Sequence, residues 1–284
     1  MKTKSSNSLQ LVACLIGIIG FCLSSMATAE FDVTAPAYGA DGTDASDDFS
    51  AIQRALREAG VAARDSGKVS TVRIPAGKYY VSSTLKVYPR TTILAEGAEL
   101  LSTMAVDGGL LHGEHYDALG NVCEGLEDCS HGGYGQTYDV TVVGGTWDRQ
   151  SPADCNTYVI SIRHGRNLEI RNAKVRGATN HMLNFSGCEN VVVSNVVFSA
   201  LKIYSTAVLQ MTAGLATHCK VVNCTALNYR LINLQGTSRM ENSYIGSNSC
   251  TENPGGIVDL SSDNAILRNC TIAGNRSKDK GAVY

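Results

Sequence analysis

Val159-Ile160-Ser161-Ile162-Arg163 returns in altered form four times toward the carboxyl end. The copies are Met182-Leu183-Asn184-Phe185-Ser186, Val208-Leu209-Gln210-Met211-Thr212, Leu231-Ile232-Asn233-Leu234-Gln235 and Ile257-Val258-Asp259-Leu260-Ser261. Stacked, they put Ile160, Leu183, Leu209, Ile232 and Val258 in one column and Ile162, Phe185, Met211, Leu234 and Leu260 two places on. Ser161, Asn184, Gln210, Asn233 and Asp259 stand between. Strand side chains alternate faces, so two apolar columns flanking a polar one predict one buried face and one wet face. The polar column steps by 23, 26, 23 and 26 residues. That is too short for strand-plus-helix repeats with full loops and fits one turn of a coil of short strands, so the chain reads as a parallel solenoid.

A second periodicity runs out of phase with the first. The segments VTVVGGTW, LEIRNAKV, VVVSNVVF, KVVNCTAL, RMENSYIG and AILRNCTI align Gly145, Asn172, Asn195, Asn223, Asn242 and Asn269. An asparagine at the same bend of successive coils can hydrogen-bond its neighbours and tolerates left-handed backbone, so these residues read as structural. The sequon-like Asn223-Cys224-Thr225 and Asn269-Cys270-Thr271 read as too buried to carry glycan.

Residues 1–29 combine Lys2 and Lys4, an apolar run from Leu9 to Leu23, and Ala27-Thr28-Ala29 before Glu30. This is the pattern of a signal peptide with an A-x-A cleavage site, and it predicts a secreted or cell-surface protein with one domain over residues 30–284. No later apolar stretch has membrane length. Eight of the ten cysteines lie beyond the leader, which fits an oxidising compartment. Cys123 and Cys129, bracketing an acidic, Gly-rich excursion, form the most plausible disulfide. Cys224 and Cys270 share a column but stand about two strand spacings, roughly 9.6 Å, apart, beyond disulfide reach. No CxxC pair or His/Cys cluster at zinc spacing occurs, so neither metal nor cofactor is expected. A net charge of −2 argues for no nucleic-acid or membrane partner.

The amino-terminal segment reads Ala37-Tyr38-Gly39-Ala40-Asp41-Gly42-Thr43-Asp44, then Asp47-Asp48-Phe49-Ser50-Ala51-Ile52-Gln53-Arg54-Ala55-Leu56, then Ile74-Pro75-Ala76-Gly77-Lys78-Tyr79. This set resembles the opening of pectate-lyase superfamily proteins, which share a single-stranded right-handed β-helix with polygalacturonase-like glycoside hydrolases. The resemblance implies an all-β, right-handed parallel β-helix of seven to eight coils, with an N-cap region over about 35–67 and coils over about 68–284. Its activity signal is weaker, because the superfamily also holds tailspikes, epimerases and non-enzymatic surface proteins. In physical terms, Ser46 or Asp47 can cap a helix whose apolar face is Phe49, Ile52, Leu56 and Ala59, with Gly60 at its end. Such a helix would cover the open edge of the first coil. Asp41, Asp44, Asp47 and Asp48 read as turn and cap residues rather than calcium ligands.

Polygalacturonase-like hydrolases carry paired acids on the outward sheet face, and glycoside hydrolysis requires such a pair. The corresponding stretches here, Tyr204-Ser205-Thr206-Ala207 and Asn228-Tyr229-Arg230, contain no acid, so the family's hydrolytic residues do not carry over. His131-Gly132-Gly133 precedes the repeats and reads as loop. What the polar column offers is Asn184, Gln210 and Asn233, with Arg163 and Gln235 on the neighbouring column, as a saccharide-binding row. Amides suit hydroxyl groups and arginine forks onto carboxylate. Asp259 is the best-placed acid, with His181 and Arg230 as partners for proton transfer and charge pairing. Asp148 and Trp147 read as structural, the lone tryptophan as a core plug. The expected function is a secreted carbohydrate-active protein that binds an acidic or pectin-like polysaccharide, with cleavage, by lyase or hydrolase chemistry, left open. The alternative is a non-catalytic adhesive solenoid or a truncated, inactive relative.

Gly281-Ala282-Val283-Tyr284 falls 25 residues after Gly256-Ile257-Val258-Asp259. A further coil therefore begins at the chain's end, and the expectation is missing carboxyl-terminal coils or self-association through that end.

Overall fold

The computed structural model describes residues 28–114, 137–199, 207–210, 215–227, 230–234, 238–250, 257–260, 264–277 and 283. The chain winds as a right-handed coil whose short strands stack into three parallel sheets of twelve, eight and seven strands. The seven-stranded sheet runs Leu85–Val87, Gly108–Gly113, Thr157–Ser161, His181–Asn184, Ala207–Gln210, Arg230–Leu234 and Val258–Leu260. Among the described residues this sheet stacks seven strands, the next eight, and the longest path through the twelve-stranded sheet nine. The stacking inferred from the repeats is the stacking found. Ile160 pairs with Leu183, Leu183 with Leu209, Leu209 with Ile232 and Ile232 with Val258. Beyond them an isolated parallel bridge joins Val258 to Val283, the 25-residue step read from the sequence.

Inside the coil the columns fuse into one core. Ile160, Leu183, Ile232 and Leu234 of the seven-stranded sheet, with Ile162 and Phe185 just past its strand ends, are at most 1% exposed. They are joined by Val140, Val142, Leu168 and Ile170 of the twelve-stranded sheet and by Leu100, Val175 and Phe198 of the eight-stranded one. Each such side chain contributes roughly 1.5–3 kcal/mol of hydrophobic stabilisation. Trp147 is fully buried and its Nε1–H donates to the Gly144 carbonyl at 3.1 Å. It is a core plug, as expected.

The asparagine bends are real, but they form two columns rather than one. Asp139, Asn167, Asn190, His218, Asn242 and Asn269 all have φ between 50° and 55°. Asn167 Nδ2 donates to Asp139 Oδ1 at 2.7 Å and Asn190 Nδ2 to Asn167 Oδ1 at 2.8 Å. The second column is Gly144, Asn172, Asn195, Asn223, Ser247 and Gly274, also left-handed throughout. Asn242 and Asn269 thus belong with His218, not beneath Asn223, and Gly144 rather than Gly145 stands over Asn172. The reason is a bend. From residue 215 on, each run in the twelve-stranded sheet breaks in two: Glu189–Ser194 pairs with both Leu215–Thr217 and Lys220–Val222. A chain with two similar bends per turn offers two equivalent alignments, and a side chain suited to left-handed backbone marks both. Asn223 and Asn269 are exposed, which corrects the reading of those sequon-like sites as buried.

The amino-terminal helix, α1 (Phe49–Ser66), lies over the first coil. It passes through Gly60 and ends at Gly67, whose φ of 70° closes it, so the expected end at Gly60 is corrected. Gly60 serves packing: a Cβ there would come within 2.5 Å of Tyr88 Cβ. The cap also satisfies the bare sheet edges. Gln53 Oε1 accepts the Lys86 N–H at 2.7 Å while its Nε2 donates to the Lys86 carbonyl at 3.2 Å, standing in for a missing strand. Asp47 accepts the Ser82 N–H at 3.0 Å and Asp48 the Tyr80 N–H at 3.3 Å. Asp41 and Asp44 close turns onto Thr43 and Ser46. Gln53→Leu leaves both Lys86 backbone groups without this partner and should cost about 1–3 kcal/mol, measured by urea unfolding. An unchanged midpoint would show that the glutamine does not seal the edge.

Among the described residues Cys155, Cys188, Cys219, Cys224, Cys250 and Cys270 are free thiols. Cys219 and Cys270 flank Ser243, and Cys224 stacks on Asn248. The column shared by Cys224 and Cys270 was thus another product of the single-column alignment. Cys123, Cys129, His131 and the leader up to residue 27 lie outside the described residues. No helix among the described residues is long and apolar enough to cross a membrane.

Candidate functional site

The polar column runs the whole length of the seven-stranded sheet. Register pairs extend it upstream from Ser161 to His112 and Lys86, and downstream through Asn184, Gln210 and Asn233 to Asp259. It is not a wet face. Ser161 and Asn233 are 0% exposed, Asn184 2% and Asp259 4%. The same face also carries Leu110, Val159, Met182, Leu231 and Ile257, all fully buried, each two places before a polar residue. The repeats are apolar at both strand parities, as in parallel sheets covered on both sides. Reading only the alternation around Ser161 and its equivalents overlooked the apolar residue that heads each copy.

The catalytic trio expected from the sequence is divided. Arg230 Nη1 donates to Asp259 Oδ2 in an ion pair whose acid is buried and whose arginine is partly exposed. Asn233 is the register partner of Asp259 on the preceding strand. His181, 2% exposed, lies in register with Ala207, which pairs with Arg230. It stands two strand spacings from Arg230 and three, about 14 Å, from Asp259. That is too far for the two to share a proton through one water. Of the proposed binding row, Arg163 is half-buried and Asn184 accepts from Ser186 Oγ at 2.7 Å. Gln210 keeps its register position, and Gln235 is outside the described residues. Asp148 is structural: it holds Arg176 Nε at 2.7 Å and accepts the Gln150 N–H at 3.0 Å.

What reaches solvent is the leading edge of this sheet. The Tyr158 ring stacks on His181, centroids 6.1 Å apart with 24° between planes. Asn180 Nδ2 donates to Asn156 Oδ1 at 2.6 Å and to the Tyr158 hydroxyl at 3.3 Å. Beneath, a hydroxyl network of Ser151, Thr157 and Thr179 pins the strand start. Asn156 is exposed, and Tyr158 and Asn180 are half-buried. The sequence did carry a signal for this edge, the 24-residue step between Asn156 and Asn180 at the bend that opens each strand. An amide pair beside an aromatic ring offers donors, acceptors and a stacking surface, the groups that sugar hydroxyls and apolar ring faces engage.

Residues 33–116 match the family described as Rhamnogalacturonase A/epimerase, pectate lyase-like. Over 162 residues the chain is 28% identical to the pre-neck appendage protein of Bacillus phage B103, a match taking in 55% of this chain and 17% of that protein. Among solved structures, the family 28 exopolygalacturonase of Yersinia enterocolitica aligns with a TM-score of 0.58 at 14% identity, over 90% of this chain and 56% of the enzyme. PfbA, a surface adhesin of Streptococcus pneumoniae, aligns at 0.53 and 16% identity, over 90% of this chain and 82% of the adhesin. An enzyme and an adhesin on one scaffold show that the shared fold leaves activity to the side chains it carries. The pectate lyase-like match thus lies in the amino-terminal motifs, and the three-sheeted coil that follows them has the right-handed parallel β-helix fold of these solved structures.

Proposed function

We propose that the protein works outside the cytoplasm as a polysaccharide-binding β-helix that holds a sugar chain along the leading edge of its seven-stranded sheet without cutting it. The observation that carries this reading is the state of Asp259. Among the described residues it is the one acid of the polar column, it is buried, and Arg230 holds it in an ion pair. Glycoside hydrolysis uses two carboxyl groups about 5–9.5 Å apart, and the column supplies one. The groups at the edge, exposed Asn156 with half-buried Tyr158 and Asn180, suit recognition instead. The leader-like residues 1–29 and the likeness to a surface adhesin support the location. Retention on a panel of pectic and other acidic polysaccharides, with neither new reducing ends nor unsaturated-product absorbance, is the expected result. Tyr158→Ala should weaken retention about tenfold, the scale of one stacking contact, with the far-ultraviolet spectrum unchanged. Release of either product, or retention indifferent to Tyr158, would overturn the reading.

A further inference from the structure

A cleft of about 390 Å³ opens between α1 and the start of the twelve-stranded sheet, well apart in sequence from Asn156, Tyr158 and Asn180. It is lined by Arg57, Gly60, Val61 and Arg64 from the helix and by Tyr88, Pro89, Arg90, Glu114 and Tyr138 from the coil. Its size is that of a small-molecule site, roughly 300–1,000 Å³. Helical spacing explains the first wall: residues 57, 60, 61 and 64 lie three and four apart and share one face. The bare Gly60 lets the helix settle onto Tyr88, so the tyrosine forms the floor rather than filling the gap.

The charge is concentrated. Among the described residues, three guanidinium groups, Arg57, Arg64 and Arg90, line the cleft with one carboxylate, Glu114. Arg64 also touches Asp65 at 3.3 Å, a pair in which both side chains are well exposed, and Arg90 touches Asp139 at 3.9 Å. A fourth, Arg166, stands beside the cleft. Arg90 and Arg166 both stack on the Tyr138 ring, 5.2 and 5.3 Å from its centroid, two like charges gathered on one aromatic ring. Arg90 does so from a left-handed backbone, φ 57°, a conformation uncommon for a side chain of this size. Val61, 41% exposed at the cleft wall, adds an apolar patch to this basic surface.

We propose that this cleft binds a carboxylated sugar ring, the ring lying against Tyr88, Pro89 and Val61 and the carboxylate forked by the arginines. Guanidinium groups match carboxylate in bidentate geometry, and tyrosine and proline offer flat apolar surfaces to a sugar. The site is separate from the sheet edge, and its test does not depend on that reading.

The experiment is calorimetric titration of the full chain with trigalacturonate, its fully methyl-esterified form and inorganic sulfate. Trigalacturonate is expected to bind about tenfold more tightly than the neutral ester, as expected when a charge-assisted contact is lost. Measured in the Tyr158→Ala background, which removes the edge contact, the Arg57→Ala/Arg64→Ala pair and, separately, Val61→Glu should each weaken the remaining binding by about tenfold or more. Raising salt should weaken it further. These positions are exposed helix residues, and an unchanged unfolding midpoint verifies the fold of each variant. Equal binding of acid and ester, sulfate binding as tight as trigalacturonate, no measurable binding, or indifference to the helix variants would each overturn the proposal.

Discussion

Arg149→Met should destabilise the protein by about 3–5 kcal/mol, because one substitution removes the charged donor of four hydrogen bonds at once. Arg149 is fully buried. Its Nη1 donates to Ser102 Oγ at 3.1 Å and to the Met104 carbonyl at 2.8 Å, its Nη2 to the Val106 carbonyl at 2.6 Å, and its Nε to the Gly108 carbonyl at 3.3 Å. Burial pulls the guanidinium below its ordinary range, yet arginine stays charged at any pH the fold tolerates. One side chain thereby holds three carbonyls and a hydroxyl of the turn between Ser102 and Gly108. Methionine keeps the apolar stem and none of the donors, so several acceptors lose their partner at once. Arg149→Lys should recover only part of the loss, because a single ammonium cannot span the four acceptors. Urea unfolding of the two variants reads the effect directly. A methionine variant within about 1 kcal/mol of the parent, an ordinary surface-substitution value, would show that the turn holds itself.

Stability should also fall steeply above about pH 9, through thiols rather than salt bridges. Burial pushes the Cys188 thiol up to about 12 and the thiols of Cys219, Cys224 and Cys250 up to about 11. Below the ordinary thiol range both folded and unfolded chains hold these protons, so stability is independent of them. As pH rises past that range the unfolded chain releases its protons first. The native state then binds more protons than the unfolded one, and stability drops with pH until the folded values are reached. Each thiol contributes about 1.4 kcal/mol per pH unit in that window. The urea midpoint followed from pH 7 to 10 should be level and then fall, and Cys188→Val should reduce the slope by one thiol's share. A level profile up to pH 10 would sink the prediction. The same burial should leave these four thiols unreactive toward a thiol reagent until the chain unfolds.

Much of the scaffold was legible from residue order because its determinants are local or repeat from rung to rung. Strand parity and the spacings of 23 and 26 residues placed Ile160, Leu183, Leu209, Ile232 and Val258 on successive strands, where the structure has them. Left-handed bends announced themselves as asparagine, because asparagine adopts that backbone at little cost. The capping helix was visible in its apolar spacing, though its passage through Gly60 was not. Glycine at that point answers to Tyr88, which lies far along the chain.

The site was decided by contacts that periodicity does not report. An alternating pattern says which residues share a face, and it says nothing of what covers that face. Asn184, Asn233 and Asp259 were therefore assigned to solvent although Met182, Leu231 and Ile257 beside them required cover. Bringing Arg230 onto Asp259 took a register between strands, and setting His181 three strands away took the count of coils between them. The cleft under α1 depends on how a helix settles against a sheet, through Gly60 on Tyr88 and through two arginines sharing the Tyr138 ring. Sequence determined the coil, because each coil repeats the last. Only the tertiary structure decided which of its faces and corners a ligand can reach, because exposure depends on every segment that packs against them.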